Sequence, residues 1–114
     1  MVSKGSWSPD RGEIVWLDFD PQAGSEQAGH RPALVISPKL YNNKVGVALF
    51  SPITNVEKNY PFEVRLPKGL KVSGVILVDH IKNLDWRARN ANYIDKVPDY
   101  IMSEVLAKLS TLLT

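Results

Sequence analysis

No cysteine occurs in the 114 residues, which removes disulfides, thiolate metal sites and a cysteine nucleophile together. Histidine is nearly as scarce. His30 and His80 stand fifty residues apart, in no metal-ligand spacing, so neither a zinc site nor any other metal or cofactor is expected. No apolar run approaches the ~18 residues of a membrane span, and residues 1–12 are polar, without the apolar stretch of a signal peptide. A cytoplasmic protein without membrane contact is expected. Low-complexity tracts and internal repeats are also missing. With 44% hydrophobic and 23% charged residues, the composition excludes a disordered or fibrous chain. The length suits one compact domain spanning 1–114, large enough to bury roughly two-thirds of the surface its unfolded form exposes.

The net charge is only +2, but it is unevenly spread. Residues 1–30 carry two basic and five acidic groups, whereas residues 31–114 carry twelve basic and seven acidic ones. That asymmetry allows a positive face for a nucleic acid, and equally a merely solvated surface.

Short runs rich in β-branched residues alternate with clusters of Gly, Pro, Asn and Asp, the pattern of an all-β barrel or sandwich. Strands are expected over Glu13 to Phe19, Ala33 to Ser37 and Val45 to Phe50, the last two joined by a turn at Tyr41-Asn42-Asn43-Lys44. Further strands are expected over Phe62 to Leu66, Gly74 to Val78, Ile81 to Trp86 and Asn92 to Asp95. From Pro98 the period becomes helical, with Ile101, Val105, Leu109 and Leu112 on one face and Met102, Leu106 and Leu113 beside it. Trp16, inside a strand, is expected in the core. Mainly β with a C-terminal helix is therefore the predicted class, the helix closing a barrel of five or more strands.

Pro21 to His30 contains two glycines and no large apolar side chain, so it reads as a long mobile loop. Its sequence Gly24-Ser25-Glu26-Gln27-Ala28-Gly29-His30-Arg31-Pro32 collects a carboxylate, an amide, an imidazole and a guanidinium on a segment able to approach a phosphate. The plain alternative is a solvated connection. Trp16-Leu17-Asp18-Phe19-Asp20-Pro21, the Gly24 to Pro32 segment and Tyr60-Pro61-Phe62-Glu63-Val64 together resemble the consecutive signatures of the MazF/PemK/Kid family. Asn42-Asn43-Lys44, Ser51-Pro52-Ile53-Thr54, Gly74-Val75 with Asp79, and Asp85-Trp86-Arg87-Ala88-Arg89 extend the likeness over most of the chain. Departures from it are Ser51-Pro52-Ile53, more apolar than a cysteine-containing variant, and His80, where some members have Gln.

The resemblance implies an SH3-like barrel that forms a homodimer, cuts single-stranded RNA without a metal, and is inhibited by a MazE-like antitoxin lying across the RNA groove. RNA carries its own nucleophile in the 2′-hydroxyl. A metal-free enzyme then needs only to accept that proton, protonate the leaving 5′-oxygen and stabilise charge on phosphorus. By resemblance, Arg31 and Thr54 are catalytic, Arg31 as a bidentate phosphate ligand and Thr54 as a hydrogen-bond partner of the scissile phosphate. Arg31 pairing with Asp18 or Asp20, and Thr54 capping a local turn, are the structural alternatives. Either Glu26 or His30 is the proton acceptor; carboxyl groups of this type ionise near ~4.3 and imidazoles near ~6.5. His80 is expected to be packed or superficial. Gln27, Asn42, Lys58, Lys82, Trp86 and Arg87 are candidate RNA contacts, with Trp86 open between core, dimer contact and base stacking. Two other functions compete. A CcdB-like gyrase poison would carry a terminal Trp-Gly-Ile, whereas this chain ends Thr111-Leu112-Leu113-Thr114; a non-catalytic module would bind RNA or antitoxin with the same surface.

Overall fold

The computed structural model describes residues 7–19 and 30–114. The expected loop therefore lies outside the described residues, apart from His30, and Glu26 and Gln27 lie outside with it. Seven strands form antiparallel ladders: β1 (Glu13–Asp18), β2 (His30–Val35), β3 (Ala48–Thr54), β4 (Glu63–Arg65), β5 (Val75–Leu77), β6 (Lys82–Leu84) and β7 (Asn92–Lys96). Helix α1 (Lys39–Val45) sits between β2 and β3, and α2 (Asp99–Leu113) ends the chain. A single 3-10 turn, Val78–His80, follows β5.

The strand order is β4-β5-β3-β2-β1-β7, with β6 also paired to β3. β3 holds this arrangement together. Its first half, Ala48 to Phe50, pairs with β6 and its end, Ile53 and Thr54, pairs with β5, while its other edge pairs with β2. The outer strands β4 and β7 do not pair with each other among the described residues.

Alternation along β1 and β2 divides the interior in two. Ile14 and Leu34 enter one cluster, beneath Ile101, Met102, Val105 and Leu109 of α2. Val15, Leu17, Ala33 and Val35 enter a second on the other face, with Ala48, Phe50 and Trp86. The predicted helix face is buried except at its end, where Leu112 and Leu113 are exposed. Among the described residues no helix is long and apolar enough to cross a membrane.

Three boundaries depart from expectation. The segment expected as a turn is helix α1, bracketed by Pro38 at its N-cap and by Gly46 at φ 87°, whose N–H donates to the Asn42 carbonyl. β3 is consequently displaced toward the C-terminus and runs to Thr54. β2 starts at His30, three residues before the expected strand, and so includes His30 and Arg31.

Candidate functional site

Arg31 and Thr54 lie at the same end of the antiparallel β2–β3 pair. The ladder sets Ala33 opposite Pro52, Leu34 opposite Ser51 and Val35 opposite Phe50, and ends two residues short of Arg31 and Thr54. Continued at the same register it would bring the two level, on one face of the sheet by strand alternation. Arg31 is exposed and Thr54 half-buried. The Thr54 hydroxyl accepts a bond from the Val56 N–H at 3.1 Å, the local turn role expected as an alternative. It keeps its own proton and a second lone pair for another partner.

Beside Thr54 opens a cleft of about 430 Å³, walled by Lys58, Tyr60, Glu63, Asp79 and His80 among others. The Tyr60 hydroxyl donates to Asp79 Oδ1 at 2.5 Å. Because Asp79 accepts that proton's hydrogen bond, the phenol is pushed up to about 12. Glu63 receives the N–H groups of Lys58 at 3.0 Å and Asn59 at 2.9 Å, fixing the loop that brings Lys58 over the cleft. Gly74 packs against the main chain of Thr54: a Cβ there would lie 2.3 Å from the Thr54 carbonyl oxygen. Tyr60, Glu63 and Asp79 had entered the sequence reading only as parts of signatures. Tyr60 and Glu63 share one signature, but Asp79 lies sixteen residues beyond Glu63, so no spacing marks the three as one wall. His80, expected as packed or superficial, is exposed on that wall.

A second polar cluster lies at the end of the β1–β2 ladder. His30 Nδ1 and Asp18 Oδ1 are 2.7 Å apart, and Asn90 Nδ2 donates to Asp18 Oδ2 at 2.9 Å. These bonds, Asn90's first, hold the Asp18 carboxyl below its ordinary range. Trp16 stacks on the imidazole, with ring centroids 5.2 Å apart and planes 8° from parallel. Arg89 donates to the main-chain oxygens of Asp18 and Phe19.

The structure corrects one predicted RNA contact, Asn42, and one predicted core residue, Trp16, and puts Trp86, left open between three roles, in the core. Asn42 is 0% exposed, its amide donating to the Pro9 and Ser37 carbonyls and accepting from the Ser37 hydroxyl. Its hydrogen-bonding capacity joins α1 to the N-terminal segment and leaves nothing for RNA. Trp86 is 4% exposed; its indole N–H donates to the Asn42 carbonyl, and Arg87 covers its ring at 4.5 Å. It belongs to the core. Trp16, expected inside, is 37% exposed, because beyond Ile14 the helix no longer covers this face. Lys58, Lys82 and Arg87 are exposed as expected. Among the described residues no group of three His, Asp or Glu side chains is placed to hold a metal ion.

A mainly antiparallel sheet covered by one C-terminal helix, with an arginine and a threonine at neighbouring strand ends, defines a class shared with small bacterial toxins. The fold is similar to the crystal structure of MazF (Form-I) from Deinococcus radiodurans, with TM-score 0.86 and 51% identity over 95% of this chain and 98% of that one. It is similar also to MazF in the MazE-MazF (Form-II) crystal structure from Deinococcus radiodurans, with TM-score 0.84 and 45% identity over 95% and 97% of the two chains. In sequence the chain is 48% identical to the endoribonuclease toxin MazF of Escherichia coli K12 over 113 residues, 99% of each chain. It is 38% identical to the Escherichia coli endoribonuclease PemK over 92% of this chain and 82% of that one. Residues 10–113 match the family described as PemK-like, MazF-like toxin of type II toxin-antitoxin system. The chain belongs to that family.

Proposed function

We propose that this chain is the toxin of a type II toxin-antitoxin pair, a metal-independent endoribonuclease that acts in the cytoplasm as a homodimer. It cuts single-stranded RNA at selected sequences, blocks translation by destroying messages, and is held inactive by a MazE-like antitoxin. What supports this reading is the position of Arg31 and Thr54 at the same end of the antiparallel β2–β3 pair, with Thr54 lining a polar cleft. Arg31 supplies a fixed charge and a planar fork for the phosphate, so charge developing on the pentacoordinate phosphorus meets donors already in place. The Thr54 hydroxyl donates to a non-bridging oxygen.

The ribose 2′-hydroxyl attacks phosphorus, the 5′-oxygen leaves with a proton, and the products are a 2′,3′-cyclic phosphate and a 5′-hydroxyl. Proximity favours this internal route, since the substrate itself holds the nucleophile at the phosphorus. Two groups compete to accept the 2′-proton. Strand alternation sends His30 to the opposite side of β2 from Arg31, and its Nδ1 is engaged by Asp18, so we assign that role to Glu26. Gln27, Lys58, Lys82 and Arg87 follow the RNA backbone on either side.

The test is an RNA oligonucleotide bracketing a mapped cut site, assayed in excess chelator beside the same oligonucleotide with a single 2′-deoxyribose at the cut. The first should be cleaved at the full rate and the second not at all. Arg31→Ala should lower the rate by on the order of 100-fold with the fold intact. Full cleavage of the deoxy substrate, activity lost to chelator, or an undiminished Arg31→Ala enzyme would each refute the assignment it addresses.

A further inference from the structure

We infer that Trp16 and His30 form a stacking subsite for one unpaired nucleobase of the RNA, separate from the cleft beside Thr54. The inference rests on the endoribonuclease reading and adds to it where a base is held. Trp16 covers one face of the imidazole. Asp18 engages the Nδ1 edge at 2.7 Å. The His30 side chain is still 48% exposed, and the ring face away from Trp16 is where the subsite would take its ligand. A flat base laid on that face would extend the existing stack of two rings to three.

The ring is also held still, which makes stacking on it cheap in entropy. Asp18 is itself braced by Asn90 at 2.9 Å and by its own N–H donating to the Arg89 carbonyl at 2.9 Å. An imidazole on a loose loop would have to be ordered by its ligand, whereas this one is ordered beforehand by β1, β7's preceding turn and Trp16. The chemistry selects a nucleobase over a phosphate. The Asp18 carboxylate adjoins the ring edge and repels a second anion, while an aromatic face accepts any base. The Nε2 edge adds one hydrogen bond to the edge of the base.

Arg31 follows His30 directly, with about 3.8 Å between successive Cα atoms. A phosphate on Arg31 therefore leaves a neighbouring base within one nucleotide's reach of the imidazole. Since the two side chains point to opposite sides of β2, that base must be turned out of line with its neighbours, as single-stranded RNA permits and a duplex does not. The subsite thus favours unpaired RNA without demanding a particular base.

The experiment uses the full-length protein and a 2′-deoxy-blocked oligonucleotide bracketing a mapped cut site, in which each base in turn is replaced by an abasic residue. At one position, base removal should weaken binding to the wild type roughly tenfold. His30→Ala should bind the intact oligonucleotide about tenfold more weakly, with no further loss when that same base is absent. Binding should change the tryptophan emission of the wild type but not of Trp16→Phe, which retains an aromatic ring and hence most of the affinity. Base removal that costs His30→Ala as much as the wild type at every position, or a Trp16 emission unmoved by saturating RNA, overturns the subsite. If the wild-type protein neither binds this oligonucleotide nor cuts its all-ribose counterpart, the endoribonuclease reading falls as well; if it cuts the all-ribose counterpart normally while the losses simply add, only the subsite does.

Discussion

Tyr60 and Asp79 share one short hydrogen bond on the wall of the cleft, and its effect on the phenol has a definite sign. The folded-state phenol is raised to about 12, above the ~10 of an unfolded tyrosine. The interaction therefore stabilises the fold fully below pH ~10 and is lost as the pH climbs from there toward 12. Spectrophotometric titration of the tyrosines should show a late step near pH 12 that disappears in Tyr60→Phe and moves back toward ordinary tyrosine values in Asp79→Asn. A titration unchanged by Asp79→Asn would mean the bond does not hold in solution. The sequence made Arg31 and Thr54 candidates by resemblance, and both fall at the same end of the β2–β3 pair. The places of Asn42, Trp16 and Trp86 were not legible in it. An asparagine looks the same in sequence whether it faces water or ties chain segments together, and nothing local distinguishes Trp16, left partly exposed, from Trp86, enclosed in the second cluster with Trp7 and Phe50.

The elements show a similar division. Short β-branched or apolar runs pointed to a strand near each observed one, though β3 lies further along than expected, and the 3.6-residue period located α2, because these patterns are local. The seven-residue helix α1 escaped, although Pro38 before it and Gly46 after it are ordinary boundary signals. Its stability comes from Asn42's long-range bonds to Pro9 and Ser37 rather than from an apolar stripe. The two glycines flanking β3 in function differ in what they tolerate. Gly46 has φ +87° and nothing within 4 Å of a new Cβ, so Gly46→Ala should cost only about 1 kcal/mol of left-handed strain and spare activity. At Gly74, with φ +123°, a Cβ would lie 2.3 Å from the Thr54 carbonyl oxygen and 2.9 Å from its carbon. Gly74→Ala should cost about 3 kcal/mol and slow cleavage by the folded fraction, because the main chain that must yield is Thr54's own. Urea unfolding with parallel cleavage assays checks both; equal stability of the two variants would contradict the packing at the β3–β5 ladder.

Across the whole molecule, the charge balance is −3 over residues 1–30 and +5 over residues 31–114. A groove that holds a phosphate chain also attracts carboxylates, and the antitoxin is expected to enter it with a segment rich in acidic and aromatic residues. Its affinity should fall as salt is raised from 0.05 to about 0.5 M, since exposed charges are screened within roughly 10 Å at 0.1 M. Calorimetric titration across that range measures the slope. A salt-independent affinity, or an antitoxin complex that still cuts RNA, would place the partner elsewhere.

The neighbours of β1 also bear on timing. β1 is bordered by β2, which follows closely, and by β7, which ends at Lys96. At ordinary rates of synthesis of about 5 to 20 residues per second, β7 is completed roughly 4 to 16 s after β1. Through that interval one edge of β1 has no partner, and the cluster beneath α2 has no cover. A nascent chain therefore gains its native sheet only after β7 has been made, and a product truncated before β7 leaves that edge of β1 without its partner.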